Sequence, residues 1–258
     1  MTTLSPAPPA VAIPDTLKRQ YRDEGYFVLE NVVPARYLQD MRDEAQHFID
    51  EMDAEMDRRG VTVLGINHKG SRYFLSRVAR KSQKLRAFLY SDVMADVCRA
   101  TLGANAFLFL DQYVIKAAET GMAFSWHQDS GYIPYDHTPY LTCWITLDDV
   151  TEENGTVYLL PYSRQGTRDR VEHIKDEKTN DMVGYFGDDP GIPVVCPAGS
   201  IACFSSTVFH RSGFNRTDKM RRVYLAQYSS DVIMNKEGTA PLHEGVEFLH
   251  DGQIVAQP

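Results

Sequence analysis

The spacing of apolar residues changes period once along this chain, near residue 107, and that change constrains the architecture more than any other feature. Upstream, apolar residues recur at helical intervals. Leu38, Met41, Ala45, Phe48, Ile49 and Met52 mark one face of a helix over residues 37–59, opened by Pro34 and stopped by Gly60. Shorter helices are expected over 17–24, capped by Asp15 or Thr16 and ended by Gly25, and over 82–90 and 92–102, the last ended by Gly103. Tyr26-Phe27-Val28-Leu29 reads as a short strand, and 61–80, broken by Gly65 and Gly70, as irregular. Downstream the pattern is one of short strands, over 107–116, 140–147, 156–160, 201–205 and 223–229. Turns separate them at 119–121, 152–155 and 197–200, and a polar loop spans 163–192. Such spacing indicates a sandwich or barrel. A helical first third feeding an antiparallel β-sandwich is the simplest account, with residues 1–14 a flexible tail and 15–258 a single domain.

Composition narrows the partners. The 258 residues are ample for a core, and 43% hydrophobic with 24% charged content is ordinary for a globular protein. The net charge is −8 and no run of Lys or Arg exceeds a local pair, which argues against nucleic acid and anionic membranes. No apolar run has transmembrane length, and the first residues lack a signal-peptide pattern. Cys98, Cys143, Cys196 and Cys203 show no metal or disulfide spacing, so they read as reduced, mostly buried thiols of a cytoplasmic protein.

The chemistry centres on Ser125-Trp126-His127-Gln128-Asp129-Ser130-Gly131. In an extended stretch, His127 and Asp129 leave the same face. They are two-thirds of a metal site, and His210 offers the third ligand. Two histidines and a carboxylate on one face of an octahedron, with the other face open, suit a non-haem Fe(II) oxygenase. Farther on, Arg221 shares strand parity with Val223 and Leu225, which turns it inward, whereas Arg222 turns outward. An inward arginine needs a carboxylate, and a dicarboxylic co-substrate would supply one. Each residue also has a plainer reading. His127 can be a bonded core histidine, Asp129 a turn cap, His210 a loop histidine on a carbonyl, and Arg221 half of a structural ion pair.

Taken together, Trp126-His127-Gln128-Asp129, Trp144, Asn154-Gly155 before Pro161, and His210-Arg211-Ser212-Gly213 with Arg221 resemble the phytanoyl-CoA dioxygenase family. The segments Asp23-Glu24-Gly25-Tyr26-Phe27-Val28-Leu29 and 245–252 extend the likeness over nearly the whole chain. The resemblance implies a double-stranded β-helix, a jelly-roll or cupin-like core in an α+β, mainly β protein, with the N-terminal helices packed against it. It implies Fe(II), 2-oxoglutarate and O2, a small-molecule substrate, and release of succinate and CO2. It assigns His127, Asp129 and His210 to iron. Arg221 and Ser212 fall to the distal carboxylate of 2-oxoglutarate, and Gln128, Trp144, Gln112 and Lys116 to the co-substrate pocket. The carboxylate of Asp129 favours hydroxylation over halogenation, since halogenating relatives carry a small residue there. Pro161-Tyr162-Ser163-Arg164 departs from the Pro-Gly-Ser-His common in relatives, which affects the substrate mouth rather than the metal. Substrate contacts are sought at Tyr73, Phe74, Arg77, Tyr132, Tyr135, His137, Arg164 and Arg168, with the long polar loop a possible lid. Two rivals remain at this stage: a divalent-metal hydrolase using the same three ligands, and a non-catalytic β-sandwich binding module. The sequence leaves the oligomeric state open.

Overall fold

The computed structural model describes residues 11–118, 122–177 and 181–255. The turn expected at 119–121 and most of the expected tail lie outside these residues. Along the chain come α1 (Asp15–Glu24), β1 (Tyr26–Leu29), α2 (Ala35–Arg59), β2 (Val63–Leu64), β3 (Asn67–His68) and β4 (Arg72–Ser76). Next are α3 (Gln83–Leu89), α4 (Asp92–Thr101), β5 (Ala106–Lys116), β6 (Phe124–His127), β7 (Leu141–Thr146), β8 (Val157–Leu160) and α5 (Tyr162–Gln165). The rest are β9 (Ile174–Lys175), β10 (Met182–Val183), β11 (Ile192–Pro193), β12 (Ile201–Ser205), β13 (Phe209–Ser212), β14 (Arg221–Ser229), β15 (Val246–His250) and β16 (Gln253–Ile254).

The helices form where the apolar spacing put them. α2 buries Met41, Ala45, Phe48, Ile49 and Met56, and Gly60 closes it in the left-handed conformation. Burying a side chain such as Phe48 contributes roughly 1.5–3 kcal/mol. Ser82 caps α3 by accepting from the Leu85 N–H. α1 begins at Asp15 behind Pro14 rather than after a polar cap. Three expectations are corrected. Val11 and Ile13 pack on the core, and the Val11 N–H donates to Asp96, so this part of the tail is tied down. The stretch read as irregular contains β4, which pairs with β5 over five residues. The strand at 223–229 begins two residues earlier, at Arg221, and β15 and β16 follow it.

The larger antiparallel sheet has the order β1-β12-β7-β14-β5-β4-β3-β2, with β15 also on β5. The smaller has the order β11-β8-β13-β6. The two faces of the larger sheet differ. Residues such as Phe27, Cys203, Cys143, Tyr224, Tyr113 and Leu75 point to the helices and make the main core. Tyrosine hydroxyls in that core find carbonyls: Tyr113 donates to Met41 O (2.8 Å) and Tyr228 to Leu89 O (2.6 Å). The other face carries Trp144, Ala202, Phe204 and Val223, which pack with Val157 and Leu159 of the smaller sheet. The site lies between the two sheets. Among the described residues all four cysteines are free and buried, and no helix is long and apolar enough to cross a membrane.

Candidate active site

His127 and His210 are direct cross-strand partners, on β6 and β13 of the smaller sheet. Their rings lie 4.1 Å apart between centroids. β6 stops at His127, but Gln128 stays extended (φ −104°, ψ 139°), so Asp129 emerges on the same side as it opens a tight 3-10 turn. Asp129 Oδ1 lies 3.8 Å from His127 Nε2 and 3.4 Å from His210 Nε2. The three ligand atoms fall within 4.8 Å of one another.

The support around this triad is complete. His127 Nδ1 faces Ser125 O at 2.8 Å and His210 Nδ1 faces Val208 O at 3.1 Å. A carbonyl only accepts, so each Nδ1 carries the proton and each Nε2 presents a lone pair inward. Burial, then the neighbouring His210, pushes His127 down to about 3, which keeps the imidazole neutral. Burial opposes ionisation of Asp129, yet its carboxyl is held at about 2, and the Thr142 hydroxyl that donates to it favours the carboxylate. Asp129 Oδ2 accepts from Thr142 Oγ1 (2.5 Å) and Gln227 Nε2 (3.0 Å). Phe124 and Tyr132 pack edge-on against the His127 ring, and Phe204 covers His210, which limits water at the ligands.

Behind the triad, the inner face of the larger sheet is basic. Arg221 points inward as its parity required and is 1% exposed. Its Nη2 donates to Gly155 O (3.0 Å) and its Nη1 to Val114 O (3.3 Å), while Nε has no partner among the described residues. Gly155 presents that carbonyl at φ +80°, with Gly213 O only 2.5 Å from where a Cβ would sit, so only glycine fits the turn. Burial lowers Arg221 to about 10, still a cation at neutral pH. Lys116 Nζ donates to Ser212 Oγ (2.9 Å) and to Gly213 O. Burial, then the nearby arginines, lowers its ammonium well below the ordinary value. Trp144 lies on the inner face, with the Arg221 guanidinium 5.6 Å from its ring. Gln112 is on the same face of β5 as Lys116 and donates to Ser76 Oγ (2.6 Å).

Other expected residues sit elsewhere. Gln128 is fully buried and points away from the ligands: its amide donates to Asp169 O and Thr207 O and accepts from the Val171 N–H. It is a strut between the long loop and both halves of the triad, not a pocket residue. The reason is strand parity, since the residue between two inward ones faces out. Tyr73 faces the helices and donates to Asp53. Arg164 is engaged by Asp189, and Arg168 by the carbonyls of Arg22 and Asp23. Arg77 bonds His243 (2.6 Å), Tyr135 packs on His137, and His137 Nε2 meets Ser130 Oγ (3.0 Å), next to Asp129 in the chain. Of the residues expected to meet substrate, Tyr132 packs on the His127 ring and Phe74 reaches that ring through Phe124.

Sequence reasoning missed Thr142 and Gln227, although Thr142 shares the inward parity of Trp144, and Gln227 that of Arg221. It also missed His173, whose Nε2 accepts from the Gln128 N–H (2.8 Å) and whose ring fills the space left by Gly131. That contact joins residues far apart in the chain and has no local signature.

Comparison with known proteins agrees with this geometry. The family model described as phytanoyl-CoA dioxygenase matches residues 21–223. A probable phytanoyl-CoA dioxygenase of Caenorhabditis elegans is 22% identical over 243 residues, covering 86% of this chain and 78% of the relative. Among solved structures, the non-heme alpha ketoglutarate dependent carbocyclase SnoK superposes with a TM-score of 0.69 at 17% identity, covering 95% of this chain and 94% of its own. The epimerase SnoN, in complex with Fe3+, alpha ketoglutarate and nogalamycin RO, gives 0.64 at 20% identity, covering 92% and 96%. The shared fold is the double-stranded β-helix.

Proposed function

This chain belongs to the phytanoyl-CoA dioxygenase family of Fe(II)- and 2-oxoglutarate-dependent oxygenases, and from that premise we propose that it hydroxylates an unactivated C–H bond of a small metabolite. The 15–258 segment acts as one oxygenase domain. The observation that carries the reading is the pairing of two features: a closed His127–Asp129–His210 cluster, and the buried Arg221 with an unpartnered Nε on the facing sheet. A hydrolytic metal site would use the first and have no need of the second.

The donor set fits the cofactor. Two neutral imidazole nitrogens and one carboxylate oxygen suit Fe(II), and the support on Nδ1 and Oδ2 orients them before any metal binds. Arg221, Ser212 and Lys116 fit a carboxylate, which would restore a partner to Arg221 Nε. When bound, iron and 2-oxoglutarate supply oxidation of the substrate C–H bond by O2, with 2-oxoglutarate leaving as succinate and CO2. The chain's own residues orient and shield. Thr142 and Gln227 hold Asp129 Oδ2, so Oδ1 faces the imidazoles. Arg221 fixes the co-substrate's far end, and Phe124, Tyr132 and Phe204 exclude water around the ligands. The carboxylate of Asp129 fills the position that halogenation would need open.

The test is an anaerobic titration of the purified protein with Fe(II) and 2-oxoglutarate, followed by the weak visible charge-transfer band. The band should form in the wild type and vanish in His210→Ala. Arg221→Ala should need at least about tenfold more 2-oxoglutarate, since an uncompensated buried charge pair is worth several kcal/mol. A folded, iron-loaded wild type without the band would end the oxygenase reading and bring the hydrolase forward.

A further inference from the structure

Three buried basic side chains stand side by side on the inner face of the larger sheet. Arg72 of β4 is the register partner of Lys116 in β5, which is the register partner of Arg221 in β14. Each is 1% exposed. Like charges directly opposite across strands repel, and burial removes the water that would screen them. Among the described residues, the one ion pair any of the three makes is Arg72 Nη1 with Asp181 Oδ1, at 3.9 Å, too long for a hydrogen bond.

One carboxylate, the distal one of 2-oxoglutarate, does not account for this row. Arg221 and Lys116 converge with Ser212, two residues past His210, and that place suffices for it. Arg72 is two strand spacings from Arg221, roughly 10 Å across the sheet, and it aims elsewhere. Its guanidinium lies 5.3 Å from the Phe74 ring and 5.7 Å from the Phe124 ring. Phe124 in turn packs on the His127 ring at 4.7 Å. Among the described residues, Arg72 Nε and Nη1 are buried and have no hydrogen-bond partner. Unsatisfied donors on a buried guanidinium are costly, and natural sites leave them where a ligand completes them.

We propose that Arg72 anchors an acidic group of the substrate, so that the enzyme oxidises a small carboxylic acid held between Arg72 and the metal. This deepens the oxygenase reading and rests on it. Phe74, Phe124 and Tyr132 give the acid's apolar body a wall that runs from the guanidinium to His127. With 2-oxoglutarate on Arg221, Arg72 keeps Asp181 as a distant ion partner, but among the described residues nothing accepts from its Nε and Nη1, and an acidic group of the substrate would.

The experiment has two arms. In the first, Fe(II)–2-oxoglutarate binding is titrated anaerobically for Arg72→Gln, Arg72→Lys and Arg221→Gln. The proposal requires 2-oxoglutarate affinity within about twofold of wild type for both Arg72 variants, against a loss of at least about tenfold for Arg221→Gln. In the second, straight-chain carboxylates of about four to ten carbons and their matching primary amides are titrated by calorimetry into the Mn(II)–2-oxoglutarate protein. At least one acid should bind about tenfold tighter than its amide to wild type and Arg72→Lys, and lose that margin in Arg72→Gln. Acids and amides that bind wild type alike would overturn the proposal, whether or not Arg72→Gln folds. A tenfold loss of 2-oxoglutarate affinity in the Arg72 variants would also overturn it, by giving Arg72 to the co-substrate. Failure of the oxygenase reading looks different: the wild type forms no charge-transfer band before any acid is added.

Discussion

The space between the two sheets holds two buried polar clusters that are built in opposite ways. Around His127, Asp129 and His210 every supporting group is paired: each Nδ1 with a carbonyl, and Asp129 Oδ2 with Thr142 and Gln227. Along Arg72, Lys116 and Arg221 three basic side chains adjoin, and among the described residues Nε of both arginines lacks a partner. Burial does not separate the clusters, since both are shielded from water. What separates them is how much of the hydrogen bonding is finished. The metal cluster has its geometry before a ligand arrives, because second-sphere bonds already orient the ligand atoms. The cationic row is a local conflict that binding resolves, so its stability is linked to anion concentration. A chain can tolerate that conflict because the helix-side core is extensive and apolar and bonds its buried tyrosines.

The metal end gives the largest expected effect. Thr142→Val keeps the shape of the side chain and removes the hydroxyl that holds Asp129. Fe(II) affinity, measured by competition with a chelator, should fall by about 10–100-fold, while 2-oxoglutarate affinity at saturating iron holds. Unchanged iron affinity would mean that the carboxylate needs no preorganisation, and the contrast between the clusters would collapse.

The cationic end gives a smaller effect with two signs. Lys116→Met removes the middle charge of the row and fills the same space. Replacing a buried charge with an apolar side chain is commonly neutral to stabilising, so the protein without ligands should gain about 1 kcal/mol and melt a few degrees higher. Its 2-oxoglutarate affinity should fall by about tenfold. A lower melting temperature with full 2-oxoglutarate affinity would make Lys116 a structural strut on Ser212 and Gly213 and not part of the binding row.

Much of this was readable beforehand, and the gaps have physical causes. The helical period of α2, the ligand pair at His127 and Asp129, and the inward parity of Arg221 are local patterns, and the structure follows them. The same parity rule places Gln128 outside and Thr142 and Gln227 inside, so those residues were legible but not read. β4 was hidden by Gly65 and Gly70 on its approach, and Arg72-Tyr73-Phe74-Leu75-Ser76 has three consecutive apolar residues and no clean alternation. Missing that strand hid Arg72 and with it the third cation. His173 and Asp181 belong to contacts between the long loop and β6, and only the folded chain brings them together.

The reverse face of β5 offers a control for the claim that unfinished bonding signals a ligand. Asp111 faces the helices, is 1% exposed, and has Oδ1 without a partner among the described residues. Its Oδ2 accepts from the Ala79 N–H and the Tyr224 hydroxyl, which closes the turn before α3. Burial pushes its carboxyl up to about 6, against those two bonds and with Glu244 adding to the rise. A carboxyl whose folded pKa exceeds its unfolded one stabilises the fold as pH falls through the folded value. Lowering the pH from 7.5 to 5 should therefore improve wild-type stability relative to Asp111→Asn by about 1 kcal/mol. Taking the difference between the two proteins removes the opposing contribution of buried histidines such as His243, which lie in both. Denaturant midpoints across that range would read the slope, and 2-oxoglutarate affinity should be the same in both proteins. If Asp111→Asn instead weakened 2-oxoglutarate binding, an orphaned group far from the ligands would be coupled to them, and orphaned donors would no longer single out the Arg72 row.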